Sequence, residues 1–101
     1  MQRMVEGLAR VLARIADGRR AGRLEEARRE LADAAARIAG VDVSLLDALG
    51  PAAIAAHLDD RLRLGALASL CEERAEIEAA AGDQAAAVRW RSHAAAFRAR
   101  A

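Results

Sequence analysis

The chain has 101 residues, a formal charge of +1 and 29 alanines, with sixteen arginines, no lysine, and one each of proline, phenylalanine, tryptophan and cysteine. That length closes around one core, so residues 1–101 are read as a single domain, and a lone Cys71 excludes the internal disulfide of a small secreted scaffold. With Ala dominant, five Val, four Ile and no Thr or Tyr, the chain lacks what fills pleated surfaces and is rich in what a helix tolerates best, which makes it all-α.

Met1, Met4, Val5, Leu8, Val11, Leu12 and Ile15 recur at spacings of three and four, one face of a first helix. Gly22 is its predicted stop, with Gly18 the alternative, because Arg19 and Arg20 then meet the negative end of the helix dipole. Leu24, Ala27, Leu31, Ala34 and Ile38 give a second helix over 23–39, closed by Gly40. So short a link folds the two helices back on each other as a first hairpin, about 1–39.

The connection 40–58 reads as short helical pieces. Ser44 with Asp47 three residues on has the form of a capping box, and Gly50-Pro51 ends one piece and starts the next. Leu45, Leu46, Leu49, Ile54 and Leu58 load this stretch with more apolar surface than a solvated loop carries, so it must pack on something. Asp59 or Asp60 caps a long helix over 61–81 whose Leu62, Leu64, Leu67, Leu70, Cys71 and Ile77 fall on more than one face, the pattern of a central helix. Gly82-Asp83 makes the turn to a last helix with the stripe Ala87, Trp90, Ala94, Phe97 and Ala101, completing a second hairpin, about 59–101.

The hairpins match at an offset of 60: Gly22 with Gly82, Ala27 with Ala87, Ala34 with Ala94. Each pairs a basic helix with an acidic one, since residues 1–23 carry +4, 24–50 carry −3, 59–81 carry −3 and 82–101 carry +3. Gly82-Asp83-Gln84-Ala85-Ala86-Ala87 through Ala94, and Gly22-Arg23-Leu24-Glu25-Glu26-Ala27 through Ala34, resemble the turn and second helix of a tetratricopeptide repeat. The chain departs from that pattern in its ~60-residue rather than ~34-residue period, its lack of aromatic knobs and its lack of a third repeat. The layout as a whole is similar to a small uncharacterised bacterial family of tetratricopeptide-like proteins. The resemblance implies a fold and no activity.

Candidate chemistry is thin. His57, Asp59 and Asp60, with Cys71, Glu72 and Glu73, are possible ligands, but no His or Cys pair has zinc spacing, and a capping role suits the aspartates better. Cys71, flanked by Leu67 and Leu70, reads as a buried small hydrophobe rather than a nucleophile. His93 has no acid four residues away, and no phosphate loop or nucleophile elbow occurs. No catalytic residue, cofactor or metal is therefore expected, and the chain is not read as an enzyme.

Arg89, Arg91, Arg98 and Arg100 around Trp90 and Phe97 offer an alternative, nucleic-acid binding through the last helix, opposed by the near-neutral charge and by the inward-facing aromatics. Charged residues interrupt every apolar run, so neither a signal peptide nor a membrane span is expected, and a cytoplasmic setting fits the single thiol. The remaining expectation is a helical scaffold that binds a protein partner or a second copy in a homodimer. Its interaction face is expected on the first helix, at Met1, Met4, Val5, Leu8, Val11, Leu12 and Ile15, more apolar surface than one facing helix can cover.

Overall fold

The structure, a computed structural model, describes residues 2–101, with side chains from Glu6 onward. It is all-helical, with no strand among the described residues. The elements are α1 (Gln2–Arg20), α2 (Leu24–Ala34) running into a π-helical turn (Ala35–Ala39), α3 (Ser44–Leu49), α4 (Pro51–His57), α5 (Arg61–Ala80) and α6 (Gln84–Arg98). The chain extends 35 × 30 × 19 Å. A thickness of 19 Å admits two layers of helices, each about 10–12 Å across.

Both predicted glycine turns form, and in the same way. Gly22 (φ 80°) and Gly82 (φ 86°) take the left-handed conformation that side chains resist. The Gly22 N–H donates to the Arg19 carbonyl at 3.0 Å and the Arg23 N–H to Gly18 at 2.9 Å, while Gly82 donates to Ala79 at 3.0 Å and Asp83 to Glu78 at 2.9 Å. These paired bonds satisfy the last carbonyls of α1 and α5 and reverse the chain. In the second turn Asp83 also caps α6, its Oδ1 accepting from the Ala86 N–H at 3.0 Å. Asp60 caps α5 through the N–H groups of Leu62 and Arg63. Ala101 lies past the end of α6 rather than on its stripe.

Two local expectations are corrected. The second helix does not run regularly to Ala39: it widens after Ala34, and its last turn closes by a bond from the Val41 N–H to the Ala35 carbonyl at 3.1 Å. Buried alanines at 34, 35 and 39 line this turn where it meets α5. The capping box at Ser44 also does not form. Asp42 caps α3 instead, its Oδ1 accepting from the Ser44 N–H at 3.0 Å and the Ser44 hydroxyl at 2.7 Å. A box needs Glu or Gln at the third position to reach back; Asp47 is one methylene shorter and turns towards α6.

α5 is central, as its two-sided apolar pattern implies. It packs along α6 and also meets α1, α2 and the π-helical turn. Leu64, Leu67, Ala68, Leu70, Cys71, Ala75 and Ile77 are all buried there. Trp90 and Phe97 complete the core from α6, and Ala27, Ala34, Ala87 and Ala94 are buried at the positions that match across the offset.

Candidate functional site

α3 presents its three leucines in two directions. Leu46 is buried and anchors the helix, while Leu45 and Leu49, one turn apart, are 45% and 58% exposed. Beside Leu45 an open cleft of about 230 Å³ runs between the corner at Gly40–Asp42 and α4, with Val41, Leu45, Ile54 and Leu58 as its apolar lining and Asp42 and His57 as its polar groups. The volume falls below the ~300–1,000 Å³ of sites for small organic ligands and suits one or two inserted side chains.

This face is held in place from α6. Asp47 Oδ1 accepts from Arg89 Nε at 3.0 Å and lies 3.2 Å from His93 Nε2. Burial acts to raise the Asp47 carboxyl, but the bonds from His93 and Arg89 outweigh it and hold the group below its ordinary value. His93 in turn stands edge-on to Trp90, ring centroids 5.3 Å apart. These contacts link α3 to α6, and Leu46 is the leucine of α3 that enters the core, with Leu45 and Leu49 exposed. The acid partner of His93 comes from another helix, 46 residues away, where the helical spacing around His93 gives no sign of it.

A second polar cluster lies inside. Glu78, 5% exposed, accepts two hydrogen bonds from Arg28 and one from Arg74 Nε at 2.7 Å, and the Arg74 guanidinium sits 4.8 Å from the Trp90 ring centre. The Arg28 bonds, against the cost of burial and with help from Arg74, hold the Glu78 carboxyl down at about 2. Arg28 also pairs with Glu25, and both its partners raise its pKa, Glu78 foremost. Arg19 and Glu73 add a part-buried pair at 2.6 Å between α1 and α5. Among the described residues every buried side-chain N or O has a partner. Groups so fully committed hold helices together.

The interaction face expected on the first helix is divided by the structure. Val11 and Ile15 are 4% and 1% exposed, in the core, so they are no part of a free surface; Leu8 and Leu12 are half-buried against that core. Met1 lies outside the described residues, as do the side chains of Met4 and Val5. α1 meets α5 as well as α2, and the described part of its stripe is buried at Val11 and Ile15 and half-buried at Leu8 and Leu12.

The other candidates scatter. Cys71 is buried, and desolvation pushes its thiol up to about 12. His57 ends α4 on the cleft, Asp59 is exposed, and Asp60 is occupied with its cap. Of the arginines on α6, Arg89 serves Asp47 and Arg98 bonds Ser69 and Glu72, while Trp90 and Phe97 are internal and offer no stacking platform. Among the described residues no helix is long and apolar enough to cross a membrane. Compared with known protein families, curated proteins and solved structures, the chain finds no match. The α3 face carries the argument from its geometry alone. Its sequence signal was the apolar load of the 40–58 connection, only part of which the core absorbs.

Proposed function

We propose that the chain is a helical protein-interaction module that docks its partner on α3 and the adjoining cleft. The observation that carries this is the pair Leu45 and Leu49, exposed one turn apart on α3, with Leu45 lining an apolar cleft and Asp47 of the same helix bonded to Arg89 and His93 of α6. Exposed leucines gain little by remaining in water, and covering them against a partner is favourable by about 25 cal/mol per Å².

In this reading the frame that carries the face is tetratricopeptide-like: two helical hairpins joined by short helices. Several features support it. The turns at Gly22 and Gly82 share their hydrogen bonds, Ala27 and Ala87 are both buried, and Arg14 meets Glu30 at 2.8 Å where, 60 residues on, Arg74 meets Trp90. The module works without catalysis or cofactor, in a reducing compartment such as a bacterial cytoplasm, where a lone buried thiol is at home.

A photo-crosslinking amino acid placed at 45, 49 or 62 in cells tests the proposal, since Leu62 is also exposed but belongs to α5 and neither to α3 nor to the cleft lining. Protein adducts are expected from 45 and 49 and not from 62. Equal labelling from all three, or none, removes the docking face.

A further inference from the structure

We propose that the occupant of the α3 cleft is a basic amphipathic helix of a partner protein, an inference that rests on the docking face proposed above. Residues 40–60 hold Asp42, Asp47, Asp59 and Asp60 and not one of the sixteen arginines. Asp47 is engaged by Arg89 and His93, and Asp60 by its cap and by Arg63 at 3.6 Å. Among the described residues Asp42 and Asp59 are the two of these without an ion-pair partner: Asp42 lines the cleft and bonds only its neighbour Ser44, and Asp59 is exposed next in sequence to Leu58 of the lining. An apolar floor with an acidic rim selects apolar anchors flanked by arginine or lysine, and it repels nucleic acid and anionic lipid.

The dimensions set the occupant's length. α3 has six residues and α4 seven, so each is about 9–10 Å long, enough to seat roughly two turns of a helix with apolar anchors three or four residues apart. Among the described residues α6 buries its apolar stripe at Trp90 and Phe97 and α1 buries Val11 and Ile15 with Leu8 and Leu12 half-buried, so a partner protein's helix is the occupant proposed and a second copy is an outcome of the test.

The test is titration of three fluorescently labelled synthetic helical peptides with the full chain, read by anisotropy. All three carry the same Leu anchors at i, i+3, i+4 and i+7, and their remaining charged positions hold Arg, Gln or Glu. The Arg peptide is expected to bind about three- to tenfold more tightly than the Gln peptide, an advantage that fades as salt is raised, with the Glu peptide weakest. Asp42→Asn with Asp59→Asn should erase the advantage while leaving the Gln peptide unchanged, and Leu45→Ser should weaken both. Equal affinity of the Arg and Gln peptides, with loss on Leu45→Ser, overturns the basic partner and leaves the docking face standing. Binding of the Arg peptide untouched by Leu45→Ser overturns both. Failure of all three peptides to bind, or a sedimenting dimer that Leu45→Ser dissociates, overturns the basic heterologous helix as occupant.

Discussion

Arg28 on α2 and Glu78 on α5 face each other through two hydrogen bonds, Nε to Oε2 at 2.8 Å and Nη2 to Oε1 at 2.9 Å, although 50 residues separate them. The pair fixes α2 against α5, and with Arg74 and Trp90 it extends to α6. One buried carboxylate thus ties together three helices from both ends of the chain.

The pair sets an acid limit on stability. The folded-state pKa of Glu78 is depressed to about 2 from an ordinary 4.5, so its contribution is complete above pH 4.5 and is lost as pH falls from there towards 2. A depression of that size corresponds to about 3 kcal/mol. Glu78→Gln is expected to destabilise the protein by about 2–4 kcal/mol at neutral pH, because the amide carries no charge for the two arginines and turns a donor NH2 towards one of them in place of an acceptor oxygen, and to flatten the acid limb of a denaturant-midpoint-versus-pH curve. A variant whose curve keeps the parental slope between pH 4.5 and 2 contradicts this.

Ala27 and Ala87 are both buried, with no room beside the methyl group left to solvent. Leucine at either site overpacks, and a loss of about 1–3 kcal/mol is expected for Ala87→Leu and for Ala27→Leu alike. Thermal melts of the two variants check it; a midpoint unchanged in either variant shows room that the packing denies.

Cys71 is buried, with its thiol pushed up to about 12. The folded protein should therefore resist aromatic disulfide reagents at pH 8 and react stoichiometrically once denaturant unfolds it, since the thiolate is the reactive form. Prompt reaction without denaturant contradicts this placement.

The sequence was most legible where one residue acts alone on the backbone. Gly22 and Gly82 end their helices because only glycine takes positive φ there without strain, Asp60 and Asp83 cap because a short carboxylate reaches the next free N–H groups, and α5 is central because its apolar residues fall on more than one face. What escaped reading depends on partners distant in sequence. Nothing near Asp47 announces Arg89 or His93, so Ser44-Leu45-Leu46-Asp47 looked like a cap. The stripe on α1 was legible as a stripe, but how many helices it meets is a property of the tertiary packing: α1 meets both α2 and α5, and Val11 and Ile15 are in the core. The α3 face was half legible: the connection's surplus of leucines was plain, and which of them turn outward was not.

The central claim is that Leu45 and Leu49 serve binding and not the fold, and the double variant Leu45→Ser, Leu49→Ser separates the two directly. Because both side chains are exposed, their loss should leave stability within about 0.5 kcal/mol of the parent. The same variant should lose the crosslinked partner of the parent when the probe is placed on the cleft at Ile54. An unfolding midpoint kept and adducts lost is the predicted result; a midpoint that collapses, or adducts that persist, contradicts the account.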